Sequence, residues 1–91
     1  MHNIRILGVN VIDRLQVAAE VQKVLTRYGC SIKTRLGLSD NDGDDDQGLG
    51  GLIILELTGD ILEWQKLENE LLSIDGVDVS KMDFFKAPAA L

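Results

Sequence analysis

Two segments of this 91-residue chain are apolar at both odd and even positions. Residues 3–11 read NIRILGVNV, and residues 52–58 read LIILELT. Successive side chains of a β-strand point to opposite faces of its sheet, so a strand that is apolar on both parities is typical of one covered on both sides. The two segments are therefore predicted to be the central strands of a sheet.

Two amphipathic helices are predicted from apolar residues that recur at intervals of three and four. The first pattern, in residues 15–28, consists of Val17, Val21, Val24 and Tyr28. The second, in residues 61–74, consists of Trp64, Leu67, Leu71 and Ile74, and the turn dipeptide Asp75-Gly76 follows it.

The helix ends carry capping signals. Asp13 with Gln16, and Asp60 with Glu63, have the spacing of a capping box, in which each acid accepts hydrogen bonds from the first turn. Gly29 is expected to end the first helix in the left-handed conformation that glycine tolerates.

Two further strands are predicted, one after the first helix and one after the second. Residues 30–38 alternate apolar and polar side chains, which is typical of an edge strand, and Cys30 is expected on the buried parity as a small core residue. Residues 77–85 are predicted to form the fourth strand. Residues 39–51 contain six Asp or Asn and four Gly, a composition that predicts a long mobile hairpin loop.

The order of these elements predicts one α+β domain over residues 1–86, with a flexible tail at residues 87–91. Its expected fold is ferredoxin-like βαββαβ, a four-stranded antiparallel sheet with two helices on one face. In this arrangement the first and third strands lie in the middle, in agreement with their apolar pattern.

One apolar face of this sheet has no helix to cover it. The first-strand residues expected beneath the helices are Leu7, Val9 and Val11. Those expected on the open face are Ile4, Ile6 and Gly8, together with either Leu52 and Ile54 or Ile53 and Leu55 from the third strand. Burying such a face is favourable by ~25 cal/mol/Å², so we predict a homo-oligomer, a dimer or a tetramer, with an interface that includes Ile4, Ile6, Gly8, Leu52 and Ile54. Association through edge strands, or a cover formed by the loop or the tail, is the alternative.

Composition argues against several classes of function. The chain has nine basic and fifteen acidic residues, and the basic ones are scattered, so direct nucleic-acid binding is not expected. The central strands also lack the aromatic residues on which RNA-binding sheets stack bases. A single cysteine, no leader pattern and no long apolar run predict a cytoplasmic protein without a membrane span.

No catalytic constellation, metal site or cofactor site is predicted. The acidic segment 40–46 resembles a calcium loop, but its sixth position is Asp45 rather than glycine and its twelfth is Gly51 rather than glutamate. His2 and Cys30 have no metal-ligand spacing.

A small-molecule site is predicted where the first strand meets the first helix. Backbone N–H groups and the positive end of the helix favour a small anion there. The candidate ligand-binding residues are Asn10, Asp13, Arg14, Arg35 and Gly37. The alternative is that Asp13 only caps the helix and Arg14 is only solvated.

The run from Ile6 to Leu38 resembles an ACT-type regulatory domain, because Asp13-Arg14 precedes the first helix and Tyr28-Gly29 follows it. Most of the chain resembles the small stand-alone proteins known as iron-only hydrogenase system regulators. The shared segments are Val11-Ile12-Asp13-Arg14, Tyr28-Gly29, Arg35-Leu36-Gly37, Gly59-Asp60 and Gly76-Val77. These proteins are similar in fold to the C-terminal domain of the nickel-responsive repressor, and the resemblance implies oligomers, ligand sensing and a transcriptional role. The ACT Pro-Gly is Leu15-Gln16 here, and the His/Cys nickel set has no counterpart.

The leading functional hypothesis is a non-enzymatic regulatory and oligomerisation module that senses a small effector and acts in transcriptional or hydrogenase-system regulation through a partner. No DNA-binding segment precedes Asn3, so any DNA contact is expected from another chain. The alternative hypothesis is a small acyl-phosphate hydrolase on the same scaffold. Asn10 and Arg14 fit that activity, but the loop between them has no glycine and contains the acid Asp13.

Overall fold

The structure, a computed structural model, describes residues 2–12, 14–38 and 51–86, without the side chains of His2, Phe85 and Lys86. Its elements, in chain order, are β1 His2–Val11, α1 Leu15–Arg27, β2 Ile32–Leu38, β3 Gly51–Leu57, α2 Ile61–Leu72 and β4 Val77–Lys86, with a short 3-10 helix, Gly29–Ser31, before β2. The four strands form one antiparallel sheet in the order β2-β3-β1-β4. The predicted ferredoxin-like fold, with β1 and β3 in the middle, is confirmed. The predicted loop before Gly51 and the predicted tail lie outside the described residues.

The hydrophobic core lies between the two helices and one face of the sheet, called here the helix face. Leu7 and Val9 of β1 are fully buried on this face, and Val11 is 5% exposed, as predicted from their shared parity. Leu55 of β3 and Leu67 of α2 are also fully buried. Because complete burial of such a side chain is worth about 1.5–3 kcal/mol, these contacts hold both helices on the helix face.

The end of α1 differs from the prediction made for Gly29. The chain leaves the helix at Tyr28, whose φ is −103°, and continues into the 3-10 helix, in which the Ser31 N–H donates to the Tyr28 carbonyl at 2.9 Å. Gly29 does not adopt a positive φ, so a left-handed glycine does not end the helix. Cys30 is exposed in this turn, whereas Ser31 is buried, so the expectation that Cys30 is a core residue is wrong.

The second strand contains a bulge that its alternating pattern does not reveal. Ile32 lies opposite Leu57, and Thr34 lies opposite Glu56, so the register shifts between them. One extra residue reverses the faces to which the following side chains point. Ile32 therefore packs against the core, whereas Thr34 and the later residues of its parity lie on the other side of the sheet.

The two helices begin differently. At α2, the Asp60 carboxylate accepts a hydrogen bond from the Leu62 N–H at 2.9 Å, which confirms the predicted N-cap. The Glu63 carboxylate pairs with the Lys66 ammonium at 3.2 Å instead of closing the reciprocal box. At α1 the boundary residue is Arg14, which forms no side-chain capping bond, and the cap predicted at Asp13 lies outside the described residues.

Gly76 fixes the turn between α2 and β4. Its φ is +94°, and a Cβ at this position would lie 2.6 Å from the Ile12 Cδ1. Its carbonyl accepts a hydrogen bond from the Ile12 N–H at 3.1 Å. Only glycine both tolerates the positive φ and leaves room for the Ile12 side chain. The hydrogen bond from Ile12 anchors the end of β1 just before α1 begins.

Candidate functional site

The side of the sheet opposite the helices is called here the open face. Its members are fixed by the register, because directly paired residues of antiparallel strands point to the same side. In the order β2, β3, β1, β4, its rows are Leu38, Leu52, Asn10, Asp78; Leu36, Ile54, Gly8, Ser80; Thr34, Glu56, Ile6, Met82; and, on the last two strands, Ile4 and Phe84. The third strand thus contributes Leu52 and Ile54, which settles the choice that the sequence left open.

Apolar side chains dominate the open face and remain accessible. Six of them are between 37% and 56% exposed, namely Ile4, Leu36, Leu38, Leu52, Met82 and Phe84. Ile6 and Ile54 lie between them and are partly buried. Taking roughly 200 Å² for a fully exposed large side chain, these fractions amount to on the order of 600 Å² of apolar surface. Monomers rarely expose a contiguous apolar patch larger than a few hundred Å².

Charged groups lie around this patch and along the sheet edges. Glu56 is the charged residue among the central apolar rows, and it accepts a hydrogen bond from the Thr34 hydroxyl at 3.1 Å and lies 3.8 Å from the Lys33 ammonium. The outer strand β2 carries Lys33 and Arg35, and the outer strand β4 carries Lys81 and Asp83. Charges on outer strands disfavour pairing of those edges with further strands.

A buried ion cluster on the helix face was not found by sequence reasoning. Arg5 is only 9% exposed, and its guanidinium donates to both oxygens of Asp83, at 2.6 and 3.0 Å, and to Glu68 at 2.8 Å. The Trp64 ring lies against it, with 5.4 Å from the guanidinium carbon to the ring centroid. The available signal was a single arginine at the same parity as Leu7 and Val9 in a central strand.

The cluster is a structural element rather than a ligand site. The hydrogen bonds from Arg5 lower the pKa of Asp83 below its ordinary value of 3.8, and the same bonds to Asp83 raise the pKa of Arg5. All three guanidinium nitrogens of Arg5 donate to carboxylates, so the group has little capacity left to bind a ligand. The cluster ties α2 to β1 and β4.

The predicted ligand-binding residues that the structure describes in the sheet lie on both of its faces. Asn10 is exposed on the open face, because its neighbours Val9 and Val11 point into the core. Arg35 and Gly37 lie on the helix face, opposite Leu55 and Ile53, as a result of the bulge.

On that face, Arg35 donates to the Gln22 side chain of α1 at 2.6 Å. Arg14 is exposed at the start of α1, and Asp13 lies outside the described residues. The structure therefore brings Arg35 to α1 and separates it from Asn10.

Neither a metal-binding cluster nor a membrane-spanning helix is found in the described ranges 2–12, 14–38 and 51–86. No three His, Cys, Asp or Glu side chains there lie close enough together to hold a metal ion. Neither helix of that part of the chain is long and apolar enough to cross a membrane.

The fold is shared with solved structures of low sequence identity. An uncharacterized protein from Thermotoga maritima, TM1266, aligns with a TM-score of 0.75 at 24% identity, over 92% of this chain and 100% of that chain. CPII, a nitrogen regulatory PII-like protein from Thiomonas intermedia K12 solved with ADP, AMP and bicarbonate, aligns with a TM-score of 0.52 at 13% identity, over 96% of this chain and 98% of that chain. No protein-family model matches the chain. No curated protein matches it either. At these identities the likeness establishes the fold alone.

The ion cluster leads to a prediction about stability. We expect Arg5→Met to lower the free energy of unfolding by about 2 kcal/mol, because Asp83 would lose both of its hydrogen bonds and the buried Glu68 would keep only Lys81, at 3.5 Å, as a charged partner. The matched control is Arg27→Met, which removes an exposed pair with Glu70 and should change the free energy of unfolding by less than about 1 kcal/mol. Chemical denaturation of both variants measures the difference, and equal losses would contradict a special role for Arg5.

Proposed function

We propose that this chain is a non-enzymatic regulatory module that associates with a second copy of itself through the open face and responds to a small anionic ligand near the start of α1. The observation that carries the proposal is the accessible apolar surface of the open face. The ligand and the regulatory role are supported by separate features of the chain.

The size of the open face supports association with a second copy. A standard protein interface buries about 800 Å² on each partner, and a little more than half of that area is apolar. The open face supplies apolar surface on the order of 600 Å² and has polar residues, such as Asn10 and Asp78, at its border. A second copy presents the same surface, so a two-fold contact between two open faces buries all of this area at once.

Face-to-face contact is favoured over pairing of sheet edges. In a symmetric pair of β2 strands, Lys33 and Arg35 would approach their own copies, and like charges across paired strands are destabilising. This repulsion applies to the β2 edge. On β4, Lys81 and Asp83 have opposite signs and pair with Glu68 and Arg5 on the helix face. The open face has no comparable concentration of charge, since Glu56 is already partnered by Thr34 and Lys33.

An anionic ligand is supported by two arginines and the start of α1. Arg14 and Arg35 form no ion pair with a carboxylate among the residues that the structure describes, whereas Arg5 and Arg27 do. The first turn of α1 contains no acidic residue, so the positive end of the helix is not compensated there by its own side chains. CPII, which shares the fold, was solved with ADP, AMP and bicarbonate, and these anions are suitable probes.

The regulated process forms the last part of the proposal. The short segments that resemble iron-only hydrogenase system regulators support a role in the regulation of transcription or of a hydrogenase system. The net charge of −6 favours action through another protein rather than direct contact with nucleic acid.

Self-association is tested by adding charge to the open face. We expect the wild-type chain to scatter light as a dimer or larger species at micromolar concentration. Leu36→Glu should shift it to a monomer, because burial of the new carboxylate in the interface is unfavourable. The matched control is Leu62→Glu on α2, since Leu62 is 63% exposed and Leu36 is 53% exposed. The control should keep the wild-type mass, and a wild-type chain that is strictly monomeric would contradict the proposal.

Ligand binding is tested by titrating AMP, ADP and bicarbonate separately and following the thermal unfolding midpoint. At least one of them should raise the midpoint, because a ligand that binds only the folded state stabilises it. Arg14→Gln should abolish the shift, whereas the control Lys66→Gln, at an exposed residue of α2, should retain it. No shift with any of the three anions would contradict this ligand class. Acyl-phosphate hydrolysis that Arg14→Gln abolishes would instead support the enzymatic alternative.

A further inference from the structure

One position of the open face has no side chain. Gly8 lies there in β1, paired with Ile54 on one side and Ser80 on the other. It has no side chain, and a Cβ placed on it would meet only the Leu52 Cδ1, at 3.9 Å. Gly8 and Ser80 therefore form the floor of a shallow depression within the apolar surface.

Large apolar side chains border this floor on two sides. Ile54 and Leu52 of β3 lie on one side, and Ile6 of β1 and Met82 of β4 form the next row. The polar Asn10 and Asp78 form the row on the opposite side, and the floor is open at the β4 edge. Met82 is 56% exposed and lies diagonally across from Gly8, the position without a side chain. The open face thus contains both projecting apolar groups and a depression, which is the relief that a self-complementary surface requires.

A glycine inside a central strand is unusual. It has no side chain to pack and weakens the strand, and it is often found where another group approaches the backbone closely. The backbone of Gly8 does not require glycine, because its φ is not positive. The described residues of the same chain place nothing over it that an added Cβ would strike.

We propose that the depression formed by Gly8 and Ser80 receives a large apolar side chain from a second copy of this chain. The inference rests on the proposed self-association and names the position at which the two open faces interlock. A second copy is the occupant because its open face offers projecting apolar side chains and an area that matches a standard interface. Interlocking of this kind brings the packing of the interface core close to that of a protein interior.

The experiment fills the depression with a side chain. Gly8→Val should weaken self-association by roughly tenfold or more, because overpacking a close interface is unfavourable. The control Gly29→Val adds the same side chain in the 3-10 helix before β2, where an added Cβ meets nothing within 4 Å, and should change the dissociation constant by less than about threefold. Gly8→Ala adds only one methyl group and should give an intermediate effect. Analytical ultracentrifugation gives the dissociation constants, and circular dichroism confirms that each variant is folded.

The outcomes separate this inference from the proposed function. If the wild-type chain associates and Gly8→Val associates equally well, the depression is not occupied and the inference is wrong, while self-association stands. Equal weakening by Gly8→Val and Gly29→Val would also overturn the inference. A monomeric wild-type chain would overturn the proposed function itself. If Gly8→Val does not fold, Gly8→Ala decides, since its methyl group lies at an ordinary contact distance from Leu52.

Discussion

Two helices can cover only one face of a four-stranded sheet, and this constraint determines the rest of the molecule. The central strands β1 and β3 are apolar on both parities, so one set of their side chains packs beneath α1 and α2 and the other set remains on the open face. Leu7 and Ile6 illustrate the contrast, because they are neighbours in sequence and belong to opposite sides of the sheet. The apolar residues of the open face do not belong to the helix-face core. Burial against a partner surface would remove them from water, which is favourable.

The Arg5 cluster, on the helix face, connects α2 to the edge strand β4. Its carboxylate partner Asp83 belongs to β4 and lies between Met82 and Phe84, which point to the open face. Glu68 of α2 completes the cluster, so the ion pairs connect α2 to the same strand that presents two of the projecting groups of the open face. The helix side of the protein therefore holds in place the edge strand through which the proposed contact is made.

The predicted features that the structure confirms depend on local pattern. Parity alone placed Leu7 and Val9 beneath the helices, and the short polar residue Asp60 marked the start of α2. The incorrect predictions depend on contacts between distant segments. The bulge between Ile32 and Thr34 arises from pairing with β3 and leaves no mark in the alternating sequence of β2.

The same bulge explains how the candidate ligand residues are arranged. Without the extra residue, a strand with Ile32 toward the core would turn Arg35 to the open face, where Asn10 lies. With it, Arg35 points to the helix face and reaches Gln22 of α1. The burial of Arg5 likewise could not be predicted from the residues near it in sequence. It depends on Glu68 and Asp83, which lie 63 and 78 positions further along the chain.

The central claim, that two open faces meet, is tested most directly by intermolecular nuclear Overhauser effects in a mixture of isotope-labelled and unlabelled chains. The account predicts such effects at the methyl groups of Ile6 and Ile54, and none at the buried methyl groups of Val21 and Leu67. Intermolecular effects confined to the backbone amides of β2 or β4 would show that the sheets join by their edges. That result, or the absence of any intermolecular effect, would contradict the claim.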